Sequence, residues 1–329
     1  SFRRWPKEMR FISPSFNNQG WTQSFDLNSV AYGTSPAYTL QTEHPTGHEY
    51  AHYLEQLVKN CPEMNIRFGT NVTAVHPLDG LDGGDPFQVA TLSTAERGRG
   101  FAVDVQPVKP DGPTGWAPAG DAETLKARFV VWAAGEFQYP QDPQDPPFAG
   151  SELCRHNSSV RSWKELPGED FVVIGGYESG MDALFNLTAC GKHATVVSST
   201  AFWRVATDDP STELSPYTME RVRQAFKTAS GTGAKPPRLL APLRVQGVEK
   251  DEDGNGYVVK AKWGAPVKHE GGEHRDKFFD DDFEEIDKEG REVSLRTSQP
   301  PLLCTGFAGS VALGAAKDLF EWGDENATG

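Results

Sequence analysis

Three short runs of consecutive apolar residues punctuate a largely mixed chain: Phe129-Val130-Val131-Trp132-Ala133-Ala134-Gly135, Phe171-Val172-Val173-Ile174 and Leu302-Leu303-Cys304-Thr305-Gly306-Phe307. Runs without alternation suit strands buried on both faces of a parallel sheet. The small residues that end the first and third runs suit a place where something approaches the backbone closely. Each run therefore predicts a buried parallel strand. A different period opens at Thr46-Gly47-His48-Glu49, a capping box, followed by a helix through about Asn60 with Tyr50, Tyr53, Leu54 and Leu57 on one stripe. A strand is predicted from Ile66 to Val75, and a meander from Phe87–Leu92 and Phe101–Val105. The Gly/Pro-rich stretches 77–86 and 107–121 read as surface insertions. Residues 1–45 show no clear periodicity, and no repeat of 20–50 residues is visible. Buried strands alternating with helical stretches give an α/β chain.

Composition narrows the function classes. A chain of 329 residues that is 37% hydrophobic has enough core for about two domains. It has no apolar run of about 18 residues, so no membrane span is expected. The net charge of -14 argues against a nucleic-acid groove. Cys61, Cys154, Cys190 and Cys304 lie far apart, without CxxC or a Cys/His spacing, which excludes a structural zinc site, a paired dithiol and a disulfide scaffold. No metal ligand set is expected, and the expected setting is cytoplasmic.

Half of the excess charge is local. Residues 249–292 hold 15 acidic and 8 basic side chains, with Asp280-Asp281-Asp282 and Glu284-Glu285 the densest blocks, and read as a solvated insertion. Asp251-Glu252-Asp253-Gly254-Asn255-Gly256 resembles the start of an EF-hand loop, but position 12 is Lys262, and the flanks alternate like strands. Asn255-Gly256 instead signals a hairpin turn.

The strongest chemical signal is the stretch Phe171–Val197. A strand to Ile174 runs into Gly175-Gly176-Tyr177-Glu178-Ser179-Gly180. A helix follows to Cys190, Gly191 ends it, and a strand Ala194–Val197 closes a βαβ unit of dinucleotide-binding size. Glycines allow the tight turn, and the helix N-terminus offers free N–H groups to a pyrophosphate. Tyr177 stands where the middle glycine of GxGxxG would be. Farther on, where an NAD-specific fold places an acid on the ribose, the chain has Ser198-Ser199-Thr200, with Arg204 just beyond. That favours NADP(H) over NAD(H). The competing reading is a structural strand–helix turn.

With these residues together, the chain resembles the flavoproteins with two dinucleotide-binding domains, which include flavin-containing monooxygenases and pyridine-nucleotide-disulfide reductases. The segments SFRRWPKEMRFISPSF, HPTGHEYAHYL, WAAGEFQYP, CRHNSSVRSWKEL and VVIGGYESGMDAL carry the likeness. The glycine motif is also similar to that of bacillithiol-disulfide-reductase-like proteins, which makes Tyr177 a family variant. The resemblance implies an FAD/NAD(P)-binding Rossmann-like fold with β-meander and hairpin insertions. It implies an FAD domain from 1–150 and 300–329, interrupted by an NAD(P) domain at 151–299. It places Gly175, Gly176, Tyr177, Glu178, Ser179 and Gly180 at the NADP(H) pyrophosphate, and Ser198, Ser199, Thr200 and Arg204 toward its adenosine end. Arg4, Trp5, Val72, Ala134, Gly135, Thr305 and Gly306 fall at the FAD.

The implied activity is an FAD-dependent oxidoreductase that takes hydride from NADPH and passes electrons to oxygen or a small organic substrate. The flavin carries the chemistry, so no catalytic acid, base or nucleophile is assigned. A homo-oligomer is compatible with this reading. The FAD motif and its ribose acid, which belong about 40 residues before Ser1 in such folds, lie outside the sequence, as does a segment closing over the flavin after Phe307. The expectation is an incomplete flavoprotein. The monooxygenase fingerprint is only echoed by Phe148, Gly150, His156 and Trp163, at the wrong spacing, and His156 reads as a structural loop histidine. The alternatives are a nucleotide-binding or interaction module without catalysis, and a plain NAD(P) dehydrogenase. The latter leaves the Ala133–Gly135 and Thr305–Phe307 junctions unexplained.

Overall fold

A computed structural model describes residues 2–15, 26, 28–31, 33–78, 100–112, 115–135, 139–140, 146–205, 212–233, 235–265 and 289–320. In chain order the elements begin with α1 (Pro36–Thr39), α2 (Gly47–Asn60), β1 (Thr70–Pro77), β2 (Phe101–Asp111), β3 (Gly115–Pro118) and β4 (Glu123–Ala127). They continue with β5 (Arg155–His156), β6 (Asp170–Ile174), α3 (Glu178–Ala189), β7 (His193–Val197), α4 (Pro216–Thr232), β8 (Arg238–Leu240) and β9 (Leu243–Lys250). The last are β10 (Tyr257–Trp263), β11 (Glu292–Thr297), β12 (Leu302–Leu303) and α5 (Ser310–Leu313). The chain forms two compact units, one of Ser1–Pro62 with Pro146–Thr305, the other of Glu63–Asp145 with Gly306–Gly329.

The first unit is built on a parallel sheet ordered β5-β12-β6-β7-β8. Both of its faces are covered, which is why β6 reads as an unbroken apolar run. Phe171 and Val173 face a core with Leu184 and Leu187 of α3 and Val222 of α4. Val172 and Ile174 face the opposite core, with Val248, Val259 and Ala261 of an antiparallel sheet ordered β11-β10-β9. Of the Leu302–Phe307 run, only Leu302–Leu303 form a parallel strand, the short β12 between β5 and β6. β9 and β10 form the expected hairpin, but Tyr257 pairs with Lys250, so the connection spans Asp251–Gly256 instead of a two-residue turn. Strands, not helices, flank it. The densest acidic blocks, Asp280–Asp282 and Glu284–Glu285, lie outside the described residues.

The aperiodic N-terminal stretch docks on this unit through polar and aromatic contacts. The Glu8 carboxylate accepts from Ser162 Oγ at 2.5 Å, Trp163 N at 3.0 Å and Lys164 N at 3.3 Å. Phe2, Trp5, Phe11 and Tyr50 form an edge-to-face and tilted ring cluster, and His44 stacks on Tyr217 of α4 at 3.6 Å. The α2 capping box is complete: Thr46 accepts from Glu49 N, and the Glu49 side chain accepts from Thr46 N.

The second unit is antiparallel. β2 pairs with β1, β3 and β4. Two expectations fail here. The stretch 107–121 is no simple loop, because β2 continues to Asp111 and folds back onto β3 past Gly112, whose φ is +68°. Its Pro110 is tolerated because β2 beyond Pro107 pairs with β3 alone, leaving an edge where no N–H donor is required. The run 129–135 is no buried strand either: Phe129 is 74% and Val131 87% exposed. No described strand pairs with it, so its apolar side chains have no two-sided packing to enter. The predicted strand Phe87–Leu92 lies outside the described residues. Among those described, no helix is long and apolar enough to cross a membrane.

Candidate functional site

The βαβ unit expected from the sequence is present, with β6 and β7 parallel and in register from Asp170↔His193 to Ile174↔Val197. Between β6 and α3 the backbone makes a turn that only glycine fits. Gly175 has φ +107°, and a Cβ there would lie 2.3 Å from the Cys304 carbonyl oxygen. A Cβ on Gly180 would lie 1.9 Å from the Gly175 carbonyl oxygen, so the third glycine lets the first turn of α3 close onto the strand end. On Gly176 it would meet Ser198 Cβ at 2.6 Å and Trp203 at 3.1 Å. Trp203 is 1% exposed, and nothing in its distant sequence position signals that it backs this turn.

Tyr177 is the N-cap residue of α3 and makes no side-chain cap bond. Its hydroxyl donates to the Glu213 carbonyl at 3.0 Å, and its ring packs against Phe202 at 5.0 Å. Leaving the helix N-terminus without a side-chain cap keeps its N–H groups and positive dipole end available to an anion. Glu178 is occupied elsewhere. Its carboxylate accepts from Ser215 N and Thr218 Oγ1, both at 2.5 Å, and so caps the start of α4. Sequence spacing does not show this, because the two partners lie on a different element. Ser179 sits in the first turn of α3.

The second group lies at the end of β7. Ser198 is 4% exposed, and its hydroxyl donates to the Thr200 carbonyl at 2.7 Å. Ser199 is exposed, Thr200 half-buried, and Arg204 half-buried in the 3-10 turn Phe202–Arg204. Gly176 and Ser198 are adjacent, so the first and second groups meet at the strand ends.

The residues expected at a flavin are divided between the units. Arg4, Trp5 and Thr305 belong to the first; Val72, Ala134, Gly135 and Gly306 belong to the second. Arg4 is exposed, and its carbonyl accepts from Arg161. Trp5 packs in the Phe2–Phe11 ring cluster. Val72 pairs with Val105. Ala134 and Gly135 are exposed, and Gly135 and Gly306 have φ +82° and +98°. The β6–α3 turn joins a central parallel strand directly to a long helix through glycines. A glycine turn opening a helix is the kind of geometry that receives a pyrophosphate.

Behind the turn, α3 is anchored to α4 by a buried ion pair. Arg221 donates to Asp182 Oδ1 at 2.8 Å and to Asn186 Oδ1 at 3.2 Å, and lies over the Phe185 ring at 4.2 Å. Burial pushes the Asp182 carboxyl up, with the guanidinium opposing it. The cysteines here are not thiolates. Burial pushes the Cys154 thiol up to about 12 and the Cys304 thiol higher still, so neither supplies a nucleophilic sulfur near neutral pH. His156 is structural: its Nδ1 accepts from Ser158 N at 3.2 Å and caps a 3-10 turn. Gly150 and Trp163 are packing positions, the first tight against the Val248 carbonyl, the second 1% exposed.

Comparison with known proteins fits this architecture. Ornithine N-hydroxylase of Kutzneria sp. 744 superposes over 99% of this chain and 76% of its own, with a TM-score of 0.58 at 14% identity. The FAD-bound cadaverine monooxygenase of Erwinia amylovora covers 98% of this chain and 74% of its own, also at TM-score 0.58, with 11% identity. These likenesses establish the expected α/β fold. In sequence, a ferredoxin–NADP reductase of Mesorhizobium japonicum is 32% identical over 115 residues, a stretch covering 34% of this chain and 32% of that reductase. The pyridine nucleotide-disulphide oxidoreductase family matches residues 1–95 and 102–270. The glycine turn, its parallel βαβ frame and this match over most of the chain together place the protein in the pyridine nucleotide-disulphide oxidoreductase family.

Proposed function

We propose that the chain is an FAD-dependent oxidoreductase that uses NAD(P)H to reduce the flavin, with monooxygenation or reduction of a small organic substrate in the cytoplasm. The observation that carries this reading is the β6–α3 turn, where three glycines are each required by contact and the helix N-terminus has no side-chain cap. Gly175–Gly180 would bind the NADP(H) pyrophosphate through backbone N–H groups. Ser198–Thr200 and Arg204 would take the adenosine end, and the absence of a carboxylate among them supports NADPH over NADH. Arg4, Trp5, Val72, Ala134, Gly135, Thr305 and Gly306 would line the flavin, in an FAD domain of 1–150 with 300–329 around an NAD(P) domain of 151–299. Bound flavin would supply the electron transfer, while the protein orients the nicotinamide and excludes water. The family and the monooxygenase folds that the chain resembles support this class.

A second reading is a nucleotide-binding module without catalysis, favoured by Tyr177 at the middle glycine position. The two separate on one preparation. The enzyme reading expects the purified chain, as isolated or after incubation with FAD, to absorb near about 450 nm and to be bleached by NADPH. A colourless chain that takes up no FAD yet binds NADPH supports the module.

A further inference from the structure

The first turn of α3 carries an anion of its own. Glu178 is the first residue of the helix and the acidic residue of its first turn. The first backbone bond of α3 runs from Met181 N to Tyr177 O at 3.0 Å, so the amides of Glu178, Ser179 and Gly180 stand ahead of the intrahelical ladder. A carboxylate at that position ordinarily settles over its own helix start, drawn by the same positive dipole end that would draw a phosphate. Unrestrained, it would compete with a pyrophosphate for these amides.

Here the carboxylate is restrained, and by another helix. Its Oε1 accepts from Ser215 N and its Oε2 from Thr218 Oγ1, each at 2.5 Å. Thr218 is 1% exposed, and its N–H donates to the Ser215 hydroxyl at 3.2 Å. α4 has no acidic residue in its own first turn, so the Glu178 charge meets a second positive helix end there. The placement is built into the helix pair. Glu178, Asp182 and Asn186 recur at every fourth position along one stripe of α3, and all three bond α4. The last two receive Arg221 at 2.8 and 3.2 Å, and this buried contact fixes the register that brings the start of α4 within reach of Glu178.

We infer that the start of α4 is a charge trap: Ser215 and Thr218 hold the Glu178 carboxylate off the N-terminus of α3 and so keep that terminus open to the nucleotide pyrophosphate. Thr218 is then a positioning residue, acting on the ligand through Glu178 and not by contact. This role rests on the nucleotide reading of the β6–α3 turn, and adds to it a determinant of affinity on a different helix, outside the glycine motif. Its sign is distinctive. Loosening the trap while the charge remains weakens binding, and removing the charge restores it.

The test is calorimetric titration of the full chain with NADP+ at low ionic strength, with melting temperatures recorded in parallel. Thr218→Val, which keeps the shape of the side chain and loses the donor, should bind NADP+ about fivefold more weakly, the weight of one carboxylate at a helix N-terminus. Adding Glu178→Gln to Thr218→Val should restore the wild-type affinity or exceed it, a recovery that a merely structural strap would not give. If Thr218→Val does not fold, Glu178→Asp takes its place, since it keeps the charge but is one methylene too short for both bonds. It should bind more weakly than wild type, while Glu178→Gln should not. Wild-type affinity in the folded Thr218→Val or Glu178→Asp variant, or a double variant as weak as Thr218→Val, overturns the trap and leaves the nucleotide reading standing. No saturable NADP+ binding by the wild-type chain overturns that reading and this role with it.

Discussion

Phe171–Ile174 and Phe129–Ala133 are nearly the same string of apolar residues, yet they meet opposite fates. The first is β6, at most 5% exposed along its apolar positions, between β12 and β7. The second pairs with no described strand and leaves Val131 87% exposed. An apolar run states what a segment could bury; the neighbouring strands decide whether it does. β6 has a ladder on both edges and cores on both faces. Composition alone cannot separate the two cases, because the partners lie far off in sequence.

The contrast can be pressed experimentally. Leu184, fully buried over the β6 face, should show the largest effect: Leu184→Ala is expected to cost about 3 kcal/mol in denaturant unfolding. A loss below about 1 kcal/mol would mean that this core is loosely packed. Next comes Glu8, which holds the N-terminal stretch to Ser162–Lys164. Burial opposes its ionisation, but hydrogen bonds from Ser162 and from backbone N–H groups outweigh it and hold its carboxyl below the usual carboxylate range. A lowered folded value means that the stabilisation is present above the unfolded carboxylate value and fades as pH falls through the folded one. Glu8→Gln should therefore destabilise by about 1.5 kcal/mol at neutral pH, and the gap to wild type should close in acid. A gap that stays constant with pH would show that Glu8 is not ionised in this role.

Smaller still is Tyr177→Gly, which restores the middle glycine. If the tyrosine limits approach to the helix N-terminus, affinity for NADP+ should rise about fivefold, or about 1 kcal/mol; a fall would assign Tyr177 to binding itself. Smallest is Val131→Ala, expected to change stability by less than about 0.5 kcal/mol. A loss near that of Leu184→Ala would show that the exposed run is packed in solution.

Much of the first unit was legible because its signals are local. The Thr46–Glu49 capping box fixes α2 at Gly47–Asn60. Gly191, at φ +78°, ends α3 in a Schellman pattern, with Lys192 N bonded to Leu187 O and Gly191 N to Thr188 O. Gly175 and Gly180 are needed by the turn itself. What escaped is non-local. The Glu178 side chain caps α4, and Trp203 closes on Gly176 from beyond β7. The Asp182–Arg221 pair joins two helices whose register no spacing rule supplies. The β2–β3 arm was missed because Gly and Pro signal a loop, although an edge strand tolerates both.

Above all, we propose that the N–H groups opening α3 hold a nicotinamide dinucleotide. Amide NMR of the labelled chain during titration with NADP+ tests it directly. Saturable shifts are expected, concentrated at Gly176, Tyr177, Glu178, Ser179 and Gly180, with Ser199 and Thr200 following at the same midpoint. Saturable shifts elsewhere that leave these amides unmoved, or no shifts at all, would contradict it.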